Sequence, residues 1–316
     1  MEISYRKSLM LALAGLLLMV ITGAYCHAAP ESAAQTLLAA RDGYYLYGGE
    51  SAPQGKTVYY SSEELYQGLL LRVGEDTPLP ENRTAQQSRN VRKFVGLYIP
   101  AAEQVCLSEE TIYALCELVQ ENALLTTWII DGMRAPMEQS ALQKAAFEQY
   151  QATLPVAQAL ALAMRDIPDS GKSEHQLSTA FDLQLGGTFD WSQDDPMART
   201  ADGRWMLENA WRYGVIRRYP PDKKAITGIE NEALHCRYVG KAHAAVMRTA
   251  SWCLEEYLDA LHRYHTLKLV TPQGGIYWIL CTPMQEKGAA FELPEGMAAA
   301  PSADNMGYAV CVLSAD

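Results

Sequence analysis

No two cysteines of this sequence form a CxxC pair, which excludes a thiolate zinc cage and a thioredoxin-like redox motif. There is no basic stripe either: 26 Lys and Arg stand against 37 Asp and Glu, a net charge of -11. A phosphate backbone needs clustered cations, so nucleic acid is not a partner. Internal repeats and low-complexity tracts are also missing. What is present is 316 residues with 49% hydrophobic content, enough to bury a full core and to form one large domain with appendages.

The amino terminus indicates where the chain works. Arg6 and Lys7 precede an uncharged run from Ser8 to Cys26, followed by the small residues of "CHAAPESAAQ". This is the layout of a secretory signal. The run is also near the lower limit for spanning a bilayer, so the alternative is an uncleaved membrane anchor. Either way the rest is expected to be extracytoplasmic, secreted or held at the outer face of the membrane. Lipidation at Cys26 is discounted, because Tyr25 is bulky where a lipoprotein signal wants a small residue. The remaining cysteines are either scattered buried thiols or members of one or two disulfides, with Cys281 and Cys311 in strand-like runs that could be bridged.

Four regions are expected. Residues 1–29 are the signal or anchor. Residues 30–100, rich in tyrosine and turn residues, read as an extracytoplasmic spacer and lead-in. Residues 101–266 are a globular α+β domain, and 267–316 a small β-rich extension of strand-like runs between Gly and Pro turns. Helical periodicity occupies "SEETIYALCELVQENA", Pro136 to Arg165, "DGRWMLENAWRYG" with Asp202 as cap and Gly214 as stop, and one long helix from Gly240 to His265. Short strands are expected at "TTWIID", "SEHQLSTAFDL" and "CRYVG". The fold class is α+β, a small antiparallel sheet flanked by helices with a carboxy-terminal β appendage.

The stretch "SEHQLSTAFDL" carries His175 and, seven residues on, Asp182. Extended, seven residues cover roughly 23 Å, whereas two ligands of one metal ion each lie about 2.0–2.2 Å from it. The pair also has opposite strand parity. A turn or bulge within Gln176 to Thr179 would solve both problems. A second pair, Glu232 and His235 in "NEALHCRYVG", is three residues apart, so one helical turn or tight bend presents both to one point. Together the pairs supply three nitrogen or carboxylate ligands and a spare carboxylate, the stock of a catalytic zinc site. His243, His262 and His265 read as ordinary core or surface imidazoles.

These stretches resemble the VanY-type D-alanyl-D-alanine carboxypeptidases, of the metallopeptidase group that includes lysostaphin-like enzymes and hedgehog domains. The family's S-x-H-x-x-G-x-A-x-D is matched by Ser173, His175, Ala180 and Asp182, and E-P-W-H-x-R-Y-V-G by Glu232, His235, Arg237, Tyr238, Val239 and Gly240. The turn S-G-Y-R-S with a glutamine beyond it is matched by Gly132, Arg134 and Gln139. The likeness spans roughly residues 65 to 265. It implies that His175, Asp182 and His235 bind Zn2+, that Glu232 is the general base, and that Arg134 holds the substrate's terminal carboxylate or the oxyanion. Ser173 and Gln139 are implied as residues orienting substrate or the metal shell.

The implied activity is removal of the last D-alanine from peptidoglycan stem peptides. An L,D-carboxypeptidase or endopeptidase acting on related wall peptides is the alternative within enzymes, and a non-catalytic wall-binding relative the alternative outside them. Retention of the base as well as the ligands argues against the last. The sequence departs from the family at Ser178, where the family has glycine, at Ala233 and Leu234, and at Met133 and Ala135. Ser178 falls inside the turn the geometry requires. Either that turn differs or a non-glycine residue accepts some strain.

Overall fold

A four-stranded antiparallel sheet carries the matched motifs. Its strands lie in the order Thr127–Asp131, Ala180–Leu185, His235–Tyr238, Val215–Arg217. The computed structural model describes residues 35–80, 83, 87–94, 99–124, 126–186, 195–229 and 232–315. The expected signal or anchor, residues 1–29, lies outside them. Among the described residues no helix is long and apolar enough to cross a membrane.

Alternation in the second strand sends Phe181, Leu183 and Leu185 into one core, where they join Ile112, Leu115 and Leu118. Those three come from the helix Glu109–Glu121, whose first turn is closed by Ser108 accepting from the Thr111 amide. Each fully buried Leu or Phe contributes about 1.5–3 kcal/mol. The opposite parity, with Asp182, is left to face the site. A helical hairpin, Pro136–Gln151 and Val156–Asp166, then leads to a short 3-10 turn, Glu174–Leu177.

Two expectations about the ends of the domain are corrected. Residues 36–48, read as spacer, are strands Thr36–Arg41 and Tyr44–Gly48, and the second pairs with Thr266–Val270. The resulting six-stranded antiparallel sheet unites the supposed spacer with the supposed carboxy-terminal appendage. Lys56–Ser61 likewise pairs with Gly288–Leu293. The physical reason is the Asp-Gly pair: Asp42 and Gly43 both have positive φ, 50° and 80°, as a two-residue hairpin turn demands. Tyr44, Tyr45 and Tyr47 just after it then supply strand propensity.

Smaller differences have local causes. The long helix is broken into Lys241–Ala250 and Leu254–Tyr264, because Ser251 adopts φ 56° and the Glu256 carboxylate accepts from the Cys253 amide to start the second piece. Thr200, not Asp202, caps the helix Ala201–Asn209, accepting from the Gly203 amide. Asp202 instead accepts from the Thr126 amide and from the Thr126 and Thr127 hydroxyls, tying the helix to the first strand of the site sheet. Gly214 ends that helical stretch at φ 80°, as expected. The six described cysteines are free thiols. Cys281 and Cys311 sit on adjacent strands but one step out of register, Cys281 opposite Val310 and Cys311 opposite Leu280. They therefore point to opposite faces and pack in separate clusters.

Candidate metal centre

The turn required between His175 and Asp182 is there. The 3-10 turn ends at Ser178 with φ 62° and ψ 9°, the left-handed conformation a glycine adopts freely, and the strand begins two residues later. Ser178 thus takes the strained option, and its buried hydroxyl finds no hydrogen-bond partner among the described residues. This fold-back brings His175 over the sheet instead of leaving it an extended span away.

The other two groups meet through register. Asp182 is directly opposite His235 on one side and Asp131 on the other. Directly paired residues of neighbouring strands share a face at about 4.5–5.5 Å between Cβ atoms. Asp182 Oδ1 lies 2.8 Å from His235 Nδ1, and its Oδ2 3.3 Å from His175 Nε2. Ligand atoms of His175, Asp182 and His235 all lie within 4.8 Å of one another.

The outer contacts of both imidazoles suit a metal. His175 Nδ1 is 2.6 Å from the Gly132 carbonyl, which can only accept, so Nδ1 carries a proton and Nε2 is the nitrogen turned toward Asp182 and the site. Gly132 is needed there, since a Cβ would lie 2.6 Å from the Cys106 carbonyl. His235 Nε2 faces Glu174 Oε2 at 3.4 Å, leaving Nδ1 toward the site. A carbonyl or carboxylate behind each ring is the usual support of a metal-bound histidine. Two imidazole nitrogens and one carboxylate form the donor set of an open tetrahedral site.

The charges are strongly coupled. Burial opposes ionisation of Asp182, but hydrogen bonds and attraction from the two imidazoles outweigh it and hold the carboxyl far below its usual range. Burial would lower His235, yet Asp182 and Glu174 push it up to about 9. The imidazolium proton on Nδ1 is the one a cation in that position replaces. Glu232 is raised above the ordinary glutamate value, first by desolvation and then by Asp182, against His235, His175 and Arg134. Solvent reaches Glu232, although surrounding protein crowds its carboxyl; accessible surface governs whether it can meet water, and crowding governs the direction of its shift.

Glu232 and His235 are joined by a tight bend, not a helical turn, with the His235 amide donating to the Glu232 carbonyl at 3.2 Å. Arg134 is at the rim: Nε and Nη2 donate to Asp131 Oδ2 at 2.9 and 2.7 Å, Nη1 donates to Gln139, and Nη2 is 3.7 Å from Asp182 Oδ2. A guanidinium has five N–H groups, so two remain for a further anion. Gln139 is fully buried, its Nε2 donating to the Pro168 carbonyl and its Oε1 accepting from Arg134. It steadies Arg134 and has no surface with which to meet substrate. Ser173 is buried at the start of the 3-10 turn, its carbonyl accepting from the Gln176 amide.

Sequence reasoning passed over the buried ions beneath the site. Glu174 Oε1 accepts from Arg218 Nε at 2.8 Å and Arg237 Nη1 at 2.7 Å, and Arg218 makes a two-pronged pair with Glu255 at 2.6 and 3.0 Å. In the sequence Arg237 is a motif match without an implied role. Tyr219 stacks on His235 with centroids 5.4 Å apart. The one visible signal is that Glu174 immediately precedes His175.

A family model described as D-alanyl-D-alanine carboxypeptidase matches residues 106–241. A D-alanyl-D-alanine carboxypeptidase of Enterococcus faecium is 30% identical over 259 residues, covering 80% of this chain and 77% of that protein. Another, from Enterococcus faecalis, is 38% identical over 132 residues, covering 42% and 47%. Among solved structures, the vancomycin resistance D,D-dipeptidase VanXYg in complex with a D-Ala-D-Ala phosphinate analog has a TM-score of 0.69 at 23% identity, covering 82% of this chain and 98% of that one, a likeness of fold.

Proposed function

We propose, for a chain that belongs to the VanY family of D-alanyl-D-alanine carboxypeptidases, a zinc-dependent hydrolysis that removes the terminal D-alanine of peptidoglycan stem peptides outside the cytoplasm. The observation that carries it is the convergence of His175, Asp182 and His235 within 4.8 Å, each imidazole backed by an acceptor. Those three residues would hold the ion. Bound zinc supplies Lewis acidity and acidifies a water at the open position.

The remaining roles belong to the chain's own groups. Glu232 takes the proton of the attacking water and returns it to the leaving amine nitrogen, and its raised pKa brings it closer to the working range of a base that must also act as an acid. Arg134 uses its two uncommitted N–H groups on the substrate's terminal carboxylate. Asp131 and Gln139 fix the fork in place. The location is supported by Arg6, Lys7 and the uncharged run that follows, as signal or membrane anchor.

A carboxypeptidase must read a free terminus. Losing one charge-assisted contact to a carboxylate costs about 1.5–3 kcal/mol. The enzyme is therefore expected to favour a free-acid stem peptide over its amide by roughly 10- to 150-fold in kcat/KM, and Arg134→Ala to lose most of that preference, the two changes failing to add. Equal rates of wild type on acid and amide would turn the assignment to an endopeptidase. A preference that persists in Arg134→Ala would place the anchor elsewhere.

A further inference from the structure

We infer that Glu174 is a positioning residue of the metal centre, selecting the tautomer of His235 that can bind an ion. The inference rests on the zinc reading of His175, Asp182 and His235 and deepens it. The two oxygens of Glu174 have different tasks. Oε1 is held by Arg218 and Arg237, and Oε2 faces His235 Nε2. A carboxylate offers no proton, so the imidazole must carry its own on Nε2 for this contact to be a hydrogen bond. Asp182 Oδ1, 2.8 Å from Nδ1, holds the other proton of the imidazolium, and when a cation displaces that proton the Nδ1 lone pair is left for it. The opposite tautomer would set two lone-pair atoms against each other at Nε2 and put a proton where the ion belongs.

The position of Glu174 is in turn fixed by Arg237 of the site sheet and by Arg218, both anchored to elements outside that sheet. Arg218, in the loop that follows the strand Val215–Arg217, is clamped by Glu255 of the helix Leu254–Tyr264. Arg237, on the same strand as His235, also donates through Nη2 to the Leu69 carbonyl at 2.7 Å. Two arginines and two glutamates balance in charge, and all four are nearly or fully buried. The carboxylate can therefore neither rotate away nor be replaced by water. Among the described residues Glu174 is the member of this network that hydrogen-bonds the His235 ring, whereas the Arg218 amide meets only the His235 backbone carbonyl, so Glu255 and Glu174 share a stabilising role while Glu174 sets the proton.

Glu174→Gln separates these roles. With two arginines donating to one oxygen, the amide must present its oxygen to them and its NH2 to His235. Nε2 then has to accept, and the proton moves to Nδ1. Zinc affinity, measured by chelator competition on folded protein at low temperature, should fall about 10- to 100-fold. Glu255→Gln breaks the same buried network without touching His235, so it should lower thermal stability while leaving zinc affinity within about threefold. Folded Glu174→Gln with wild-type zinc affinity would overturn the inference, as would an equal loss of affinity in Glu255→Gln.

The zinc-loaded wild type gives a reading that requires no variant and decides the matter if Glu174→Gln does not fold. Long-range proton–nitrogen spectra should show His235 protonated at Nε2 and not at Nδ1. The reverse assignment would overturn the role of Glu174. A wild type that binds no zinc would instead sink the metal reading itself, a distinguishable result.

Discussion

Glu232→Gln is expected to retain its zinc and to lose turnover on the order of a hundredfold or more. The substitution keeps the shape of a side chain that lies outside the ligand cluster and removes its ability to take a proton. Metal analysis beside steady-state kinetics checks both halves. Loss of zinc in this variant would make Glu232 a ligand. Full activity with zinc bound would mean that another group moves the proton. Because the bend holds the Glu232 carbonyl on the His235 amide, the local backbone is expected to survive the change.

Arg218→Met should produce the largest loss of stability. It removes the cation that Glu174 and Glu255 share and leaves two buried carboxylates, Glu174 beside Arg237 and Glu255 with only the more distant Arg72 at 3.9 Å among the ion pairs of the described residues. Breaking such a buried pair costs about 3–5 kcal/mol, or roughly 6–20 °C in Tm for a chain of this size. The matched control is Lys241→Met, which breaks an ion pair to Glu117 that is half exposed on both sides. An exposed pair contributes about 0–1 kcal/mol. Thermal unfolding of both variants should separate them clearly, and similar small shifts would show that the buried network contributes little.

The site was legible to the extent that it is local in sequence. Metal-ligand distance against strand rise demanded a turn between His175 and Asp182, and Ser178 makes it at the cost of a left-handed serine. The short step from Glu232 to His235 required one bend, and it is present. Cross-strand register was not legible: nothing near Asp182 announces that His235, far along the chain, will lie directly opposite. The buried ions were hidden for a related reason. Glu174, Arg218, Arg237 and Glu255 look in sequence like solvated charges, and only the tertiary arrangement shows that they satisfy one another.

The fold failed to read where punctuation misled. Gly, Pro and Ser between residues 43 and 62 suggested a spacer, although Asp42-Gly43 is a strong hairpin signal and the flanking Tyr and Leu residues alternate. Leu46, fully buried, stands opposite Leu269 in the six-stranded sheet. Conversely, nothing punctuates Ser251, whose left-handed backbone splits the expected long helix. Serine seldom takes that conformation, and so carries no warning of a helix end.

Cleavage of the terminal D-alanine of a stem peptide at a zinc site held by His175, Asp182 and His235 can be followed in one experiment. The most direct measurement is incubation of the purified protein with a pentapeptide stem, with released alanine followed by mass spectrometry before chelation, after chelation and after zinc is restored. The account predicts one D-alanine released per peptide, abolished by the chelator and recovered with zinc. Release that ignores the chelator, or alanine freed from a tetrapeptide but not from the pentapeptide, would contradict it.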